Sequence, residues 1–234
     1  LITLGIIGVV AAMTIPTLIA NTNGAKFRSQ FKKTISTLNQ AGLMAQAQYD
    51  FDYAGTTEKC TGTVATDAGQ HPESVMSFCA ILNGTLTGQT YQGAVTNIKR
   101  SNNGAEEAYA IKTVSALTKA TAEAYLAYTL ADGSIVAFSA DAQGCELPIG
   151  QQLTKAYIYN DHPECLGFID VNGATLPNRE VSCSDDTKDA QDVTTPCAVK
   201  NDANHMTDIF PVFFHDATVE PASAAAKYVL TTSK

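Results

Sequence analysis

The first twenty residues, Leu1 to Ala20 (LITLGIIGVVAAMTIPTLIA), carry no charge and almost no polar side chain. A bilayer core takes about 20 mostly apolar residues of helix, so this run is just long enough to span one. After a short polar patch, Asn21-Thr22-Asn23-Gly24, apolar positions return three or four apart at Phe27, Phe31, Ile35, Leu38, Gly42, Ala45 and Tyr49. That spacing puts them on one helical face. Lys26, Arg28, Lys32, Lys33, Gln40 and Gln46 fall mostly elsewhere. The pattern predicts one helix from Leu1 to about Tyr53, apolar all round over residues 1–24 and amphipathic over residues 25–53. At 1.5 Å per residue it is a rod of roughly 80 Å. Its first half must shelter in a membrane or among copies of itself.

Residues 54–234 read as one globular head, with no internal repeat and no second domain. From Ala54 to Asn103 the chain is rich in Gly, Thr and Asn, and residues 55–69 read as surface loop. A short helix is predicted over Glu73–Leu82 behind Pro72, with a turn at Asn83-Gly84 and another loop at Ser101 to Gly104. Strand signals come later. Ala124–Leu130 and Ser134–Ser139 flank Ala131-Asp132-Gly133 as a hairpin, because that turn suits positive φ. Leu166–Val171 is a third strand. Asp208–His215 is a fourth, which Pro211 pushes towards an edge or a bulge. The predicted fold class is α+β: a long N-terminal helix packed on a small antiparallel sheet head.

Composition narrows the setting. An apolar content of 45% supports a real core, and 16% charged residues is too few for a disordered chain. The rod carries a net +2, so the net −8 of the whole leaves −10 on the head. An acidic head argues against nucleic acid as a partner, since phosphate binding needs a basic face. Six cysteines, Cys60, Cys79, Cys145, Cys165, Cys183 and Cys197, all lie in the head. None forms Cys-x-x-Cys, which removes zinc-ribbon, thioredoxin and c-type haem readings. Three disulfides in an oxidising compartment follow. Fifteen pairings are open on sequence alone, and the sequential one is favoured because each bridge closes a short loop.

The N-terminal run also resembles the mature N-terminal segment of type IV pilins and type II secretion pseudopilins, the class III signal family. The resemblance rests on the aliphatic run, Gly5, Gly8, Val10-Ala11-Ala12 and the lone Pro16 before an amphipathic continuation. Members of the family normally carry Phe-Thr-Leu-x-Glu just ahead of this point, and the sequence here starts after it. A second likeness is Asp170-Val171-Asn172-Gly173, Pro177-Asn178 and Asp208-Ile209-Phe210, similar to the DxNG…PN…D-x-F pattern near the end of many such proteins. Here residues 179–207 stand as an insertion, expected to be a disulfide-closed acidic surface loop. An uncleaved secretory signal fits less well, because no basic stretch precedes the apolar run and no small-residue cleavage site follows it. A plain anchor would put Lys26 to Lys33 in the cytoplasm, against the cysteines. The family resolves that conflict with a basic leader removed on maturation.

The resemblance implies a filament core built from Leu1, Ile2, Leu4, Ile6, Ile7, Val9, Val10, Met13, Ile15 and Leu18, with helix flexibility at Gly5, Gly8 and Pro16. It implies a helical homopolymer as the partner, an inner-membrane assembly machinery, a prepilin peptidase and N-terminal methylation. It also implies an oxygen-ligand site at Asp170, Asn172, Asn178 and Asp208 that suits calcium. The alternative for those residues is turn chemistry alone. No other cofactor is expected. His71, His162, His205 and His215 sit in no catalytic motif, and no phosphate loop or nucleophile elbow occurs, so no enzyme is expected. The favoured function is a structural pilin-like subunit of an extracellular bacterial surface filament, embedded in the inner membrane before assembly. The second is a periplasmic pseudopilus subunit, and the third a membrane-tethered binding module.

Overall fold

A computed structural model describes residues 2–61, 75–102, 104–109, 111 and 125–233. Within these, side chains are described except at positions 2–8, 11, 13, 15–17, 20, 101 and 102. Helix α1 runs Ile2–Tyr49, 48 residues, or about 72 Å of rod. It ends earlier than the predicted Tyr53 because Asp50 takes a positive φ of 63° and turns the chain out of the helix.

The head is an α+β unit. Helix α2 is Phe78–Thr85 and helix α3 is Ala224–Thr231. Both begin with a serine cap: Ser77 Oγ accepts from the Ala80 N–H and Ser223 Oγ from the Ala226 N–H, each at 3.1 Å. The strands are β1 Thr90–Ala94, β2 Lys99–Asn102, β3 Ala105–Ala108, β4 Tyr125–Thr129, β5 Ile135–Ser139, β6 Leu166–Asp170, β7 Ile209–His215 and β8 Thr218–Pro221. Six of them form one antiparallel sheet in the order β1-β4-β5-β6-β7-β8, and β2-β3 stand apart as a two-stranded ribbon. The expected hairpin is β4–β5, with Thr129 opposite Ile135 and Gly133 at φ 85°.

The amphipathic half of α1 covers one face of this sheet. Phe27, Phe31, Ile35, Leu38, Gly42 and Ala45 are buried and Tyr49 is half-buried, as the spacing predicts. Phe31 stacks on Phe210 of β7. Tyr53, Phe78, Phe138 and Phe214 form an aromatic cluster with ring centroids 5.0–5.4 Å apart. At Gly42 the helix lies tight against the β7–β8 turn. A methyl there would lie 2.7 Å from the Ala217 carbonyl oxygen and 2.9 Å from the Tyr53 ring.

Four expectations are corrected. Arg28 is not on the solvent face: it is buried and donates to the carbonyls of Val229 and Thr232, tying α1 to the C-terminal segment. Asn83-Gly84 is not a turn but the last part of α2, which begins at Phe78; Gly84 lets the Tyr49 ring lie against the backbone while its hydroxyl bonds the Gly84 carbonyl. Ser101 and Asn102 are not loop but the end of β2, paired with Glu106 and Ala105 of β3. Pro211 stands neither at an edge nor at a bulge but in regular register opposite Phe168. Its carbonyl accepts from Ala222 at the far end of the short β8 ladder. The missing N–H points to that same side, so no bond to β6 is lost.

The three disulfides are Cys60–Cys79, Cys145–Cys165 and Cys183–Cys197, the sequential set. Residues 179–207 are the expected bridged loop, but they are not merely surface. Val181, Val193, Val199 and Met206 are buried, and Val181 and Arg179 exchange backbone bonds with Ile209.

Candidate functional site

Two regions carry the expected chemistry. The first is the exposed flank of α1. Val9, Val10, Leu18 and Ile19 are 54–67% exposed on this single chain. The hydroxyls of Thr14 and Thr22 bond back to the carbonyls of Val10 and Leu18, each at 2.9 Å. That satisfies both hydroxyls within the helix and leaves the aliphatic side chains beside them exposed. Side chains of the other expected core positions, Leu1, Ile2, Leu4, Ile6, Ile7, Met13 and Ile15, lie outside the described residues, as do those of Pro16, Gly5 and Gly8. No helix among the described residues is long and apolar enough to cross a membrane.

The second region is the turn after β6. Asp170, Asn178 and Asp208 are all buried, at 1% exposure or less, although 37 positions separate the first from the last in the chain. Asp208 accepts from the backbone N–H of Asn178 at 3.0 Å and of Arg179 at 2.9 Å. The 179–207 loop therefore leaves and returns at one place, so the insertion does not pull the expected residues apart. Asp170 accepts from the Asn172 N–H at 3.1 Å, an Asx turn, and from the Tyr109 hydroxyl at 2.6 Å. Tyr109 carried no sequence signal, because it reaches the site from a position 61 residues away.

Burial raises the Asp208 carboxyl to about 6 against the pull of the Arg179, Asn178 and Asp208 backbone N–H groups and of the Asn172 side-chain amide. Burial and the neighbouring Asp208 charge push Asp170 well above the carboxylate range. The side-chain oxygen of Asn178 is buried with no partner among the described residues. Two buried carboxyl groups that burial keeps from ionising, whose ionised forms a cation would stabilise, and one orphaned amide oxygen are an oxygen set that calcium takes. Asp170, Asp208 and Asn178 thus fit such an ion in donor type. Asn172 does not fit as it stands, because it turns its amide N–H groups, not its oxygen, towards Asp208 and towards the Thr175 and Leu176 carbonyls. Turn chemistry accounts for the same residues in part: Asn178 and Gly173 both hold positive φ. Among the described residues no group of three or more His, Cys, Asp or Glu side chains is arranged around a metal position.

The histidines are all paired where they are described. His162 meets Glu164, His205 meets Asp202, and His215 lies between Asp216 and Glu220. His71 lies outside the described residues. Comparison of the chain with family models, with curated proteins and with solved structures found no match.

Proposed function

We propose that the chain is a structural subunit that polymerises through its N-terminal helix into a type IV pilus-like filament on the bacterial surface. The observation that carries this reading is the split of one helix into two environments. Its second half is buried against the head, while Val9, Val10, Leu18 and Ile19 stand bare beyond it. Bare aliphatic surface of this kind is removed from water at roughly 25 cal/mol per Å2. Identical rods stacked with an axial stagger supply that shelter to each other, and a head-to-tail contact that does not close grows into an open helix. The acidic, triply bridged head would form the outer shell.

The second reading, a subunit of a periplasmic pseudopilus, is favoured by one feature. The Asp170 turn and Asp208 come together with the orphaned Asn178 oxygen. Electron microscopy of sheared surface material separates the two. Long fibres containing this chain support the first reading, and fibres absent from the surface but present on overexpression in the periplasm support the second. A monomer that stays dispersed in detergent-free buffer overturns both.

A further inference from the structure

Of the four cations at the start of the amphipathic half, the fold uses three. Arg28 and Lys32 bond the Thr232 carbonyl, and Lys33 pairs with Asp132. Lys26 is exposed and makes no ion pair among the described residues. It stands at the rim of a cavity of about 480 Å3 at the base of the head. Phe27, Leu176, Pro177 and Met206 give that cavity apolar walls. Thr207 lines it too; this residue is 1% exposed and its hydroxyl has no partner among the described residues. Leu176 is 58% exposed on the lip.

The cavity's place along the rod decides what it faces. Ile19, Asn23 and Lys26 are spaced i, i+4, i+7, so the cavity wall continues down one helix face into exposed Ile19. Lys26 lies six residues, or about 9 Å, above Ala20, where the apolar run ends. Helical side chains lean towards the N-terminus, and a lysine stem lies along apolar surface while its ammonium reaches out. With the apolar run in a bilayer, the headgroup layer is about 5–7 Å deep on each side. The Lys26 ammonium then sits at phosphate height, with Leu176 beside it.

We propose that this cavity holds the phosphate headgroup of an anionic phospholipid while the rod is still in the bilayer. Lys26 faces the phosphate, the Thr207 hydroxyl serves a headgroup oxygen, and Leu176 dips into the acyl boundary. The proposal rests on the membrane-borne stage of the function given above. It also gives a role to Lys26, the cation of the four that neither bonds the C-terminal segment nor pairs with an acid among the described residues.

The chain has no tryptophan, so Leu176→Trp in the full-length protein supplies a single reporter. The variant is reconstituted into vesicles containing headgroup-proximal brominated phosphatidylglycerol or, at equal mole fraction, brominated phosphatidylcholine. The glycerol lipid is expected to quench the introduced indole about fivefold more effectively, the factor one surface lysine supplies. Adding Lys26→Gln should erase that preference, whereas Lys33→Gln, whose partner is Asp132, should leave it. Equal quenching by both lipids overturns the proposal, as does a preference indifferent to Lys26→Gln. Quenching protection that grows with protein density overturns it in favour of a second copy seated in the cavity. Vesicle flotation is read in parallel. A chain that floats without lipid preference sinks only this proposal, while one that fails to float sinks the membrane-borne rod as well.

Discussion

Phe31 of α1 lies flat on Phe210 of β7, with ring centroids 4.1 Å apart and planes 11° from parallel. This is the contact through which a helix that extends far beyond the head is fixed to the sheet. Both rings are fully buried. Phe31→Ala should therefore cost about 3–5 kcal/mol, read as a lower urea midpoint with an unchanged slope. Leu43→Ala, on the exposed side of the same helix, should stay within about 0.5 kcal/mol. Equal losses from the two would mean that α1 does not pack on the sheet by this face.

Asp208 sets a pH dependence. An acid whose folded pKa lies above its unfolded value holds its proton more tightly in the fold, so stability falls with rising pH between the two values. Burial places Asp208 at about 6, above the unfolded value near 3.9. Its contribution is best below pH 4 and worsens as pH rises through 6. Urea midpoints measured from pH 4 to 7 should fall, and less steeply in Asp208→Asn. Calcium added at pH 7 should restore the midpoint in the native chain but not in the variant. A slope that the substitution leaves untouched would separate the pair from this behaviour.

His215 acts in a higher window and in the same direction. Burial opposes its charge, but the Glu220 carboxylate at 2.6 Å and Asp216 at 3.0 Å outweigh burial and raise its pKa. A raised histidine stabilises the fold fully below its unfolded pKa near 6.5, and the gain is lost as pH rises through the higher folded value. The His215 imidazole resonances should titrate above 6.5, and Glu220→Gln should lower that midpoint. The same midpoint in both proteins would show that the β7–β8 hairpin does not hold the ring as described.

The Cys183–Cys197 bridge closes a loop whose ends are already joined by the bond from the Ser184 N–H to the Ala198 carbonyl. Replacing both cysteines by serine should cost up to about 3 kcal/mol. Limited proteolysis should then cut first between residues 183 and 197, with the sheet intact. Cleavage first in another part of the head would argue that the bridge does not organise this loop.

Much of this architecture is legible in the linear chain. The period of Phe27 to Tyr49 depends only on neighbours within a turn, so it predicts the buried face of α1 directly. The Ala131-Asp132-Gly133 turn likewise predicts β4–β5, and short cysteine spacings predict the pairing. β1 and β8 were not legible, because Thr90–Ala94 and Thr218–Pro221 have little apolar alternation and become strands only when a partner strand supplies their hydrogen bonds. The inward turn of Arg28 depends on the Val229 and Thr232 carbonyls, some two hundred residues away. The polar cluster is divided in the same way. Asp170 and Asn172 announce a turn on their own, whereas Tyr109 and Asp208 join it only through tertiary packing. The sequence by itself determined a rod with an oily half and an amphipathic half. Only the tertiary structure decided which of its cations are tied to the head, because hydrogen-bond partners distant in the chain are chosen by packing and not by spacing.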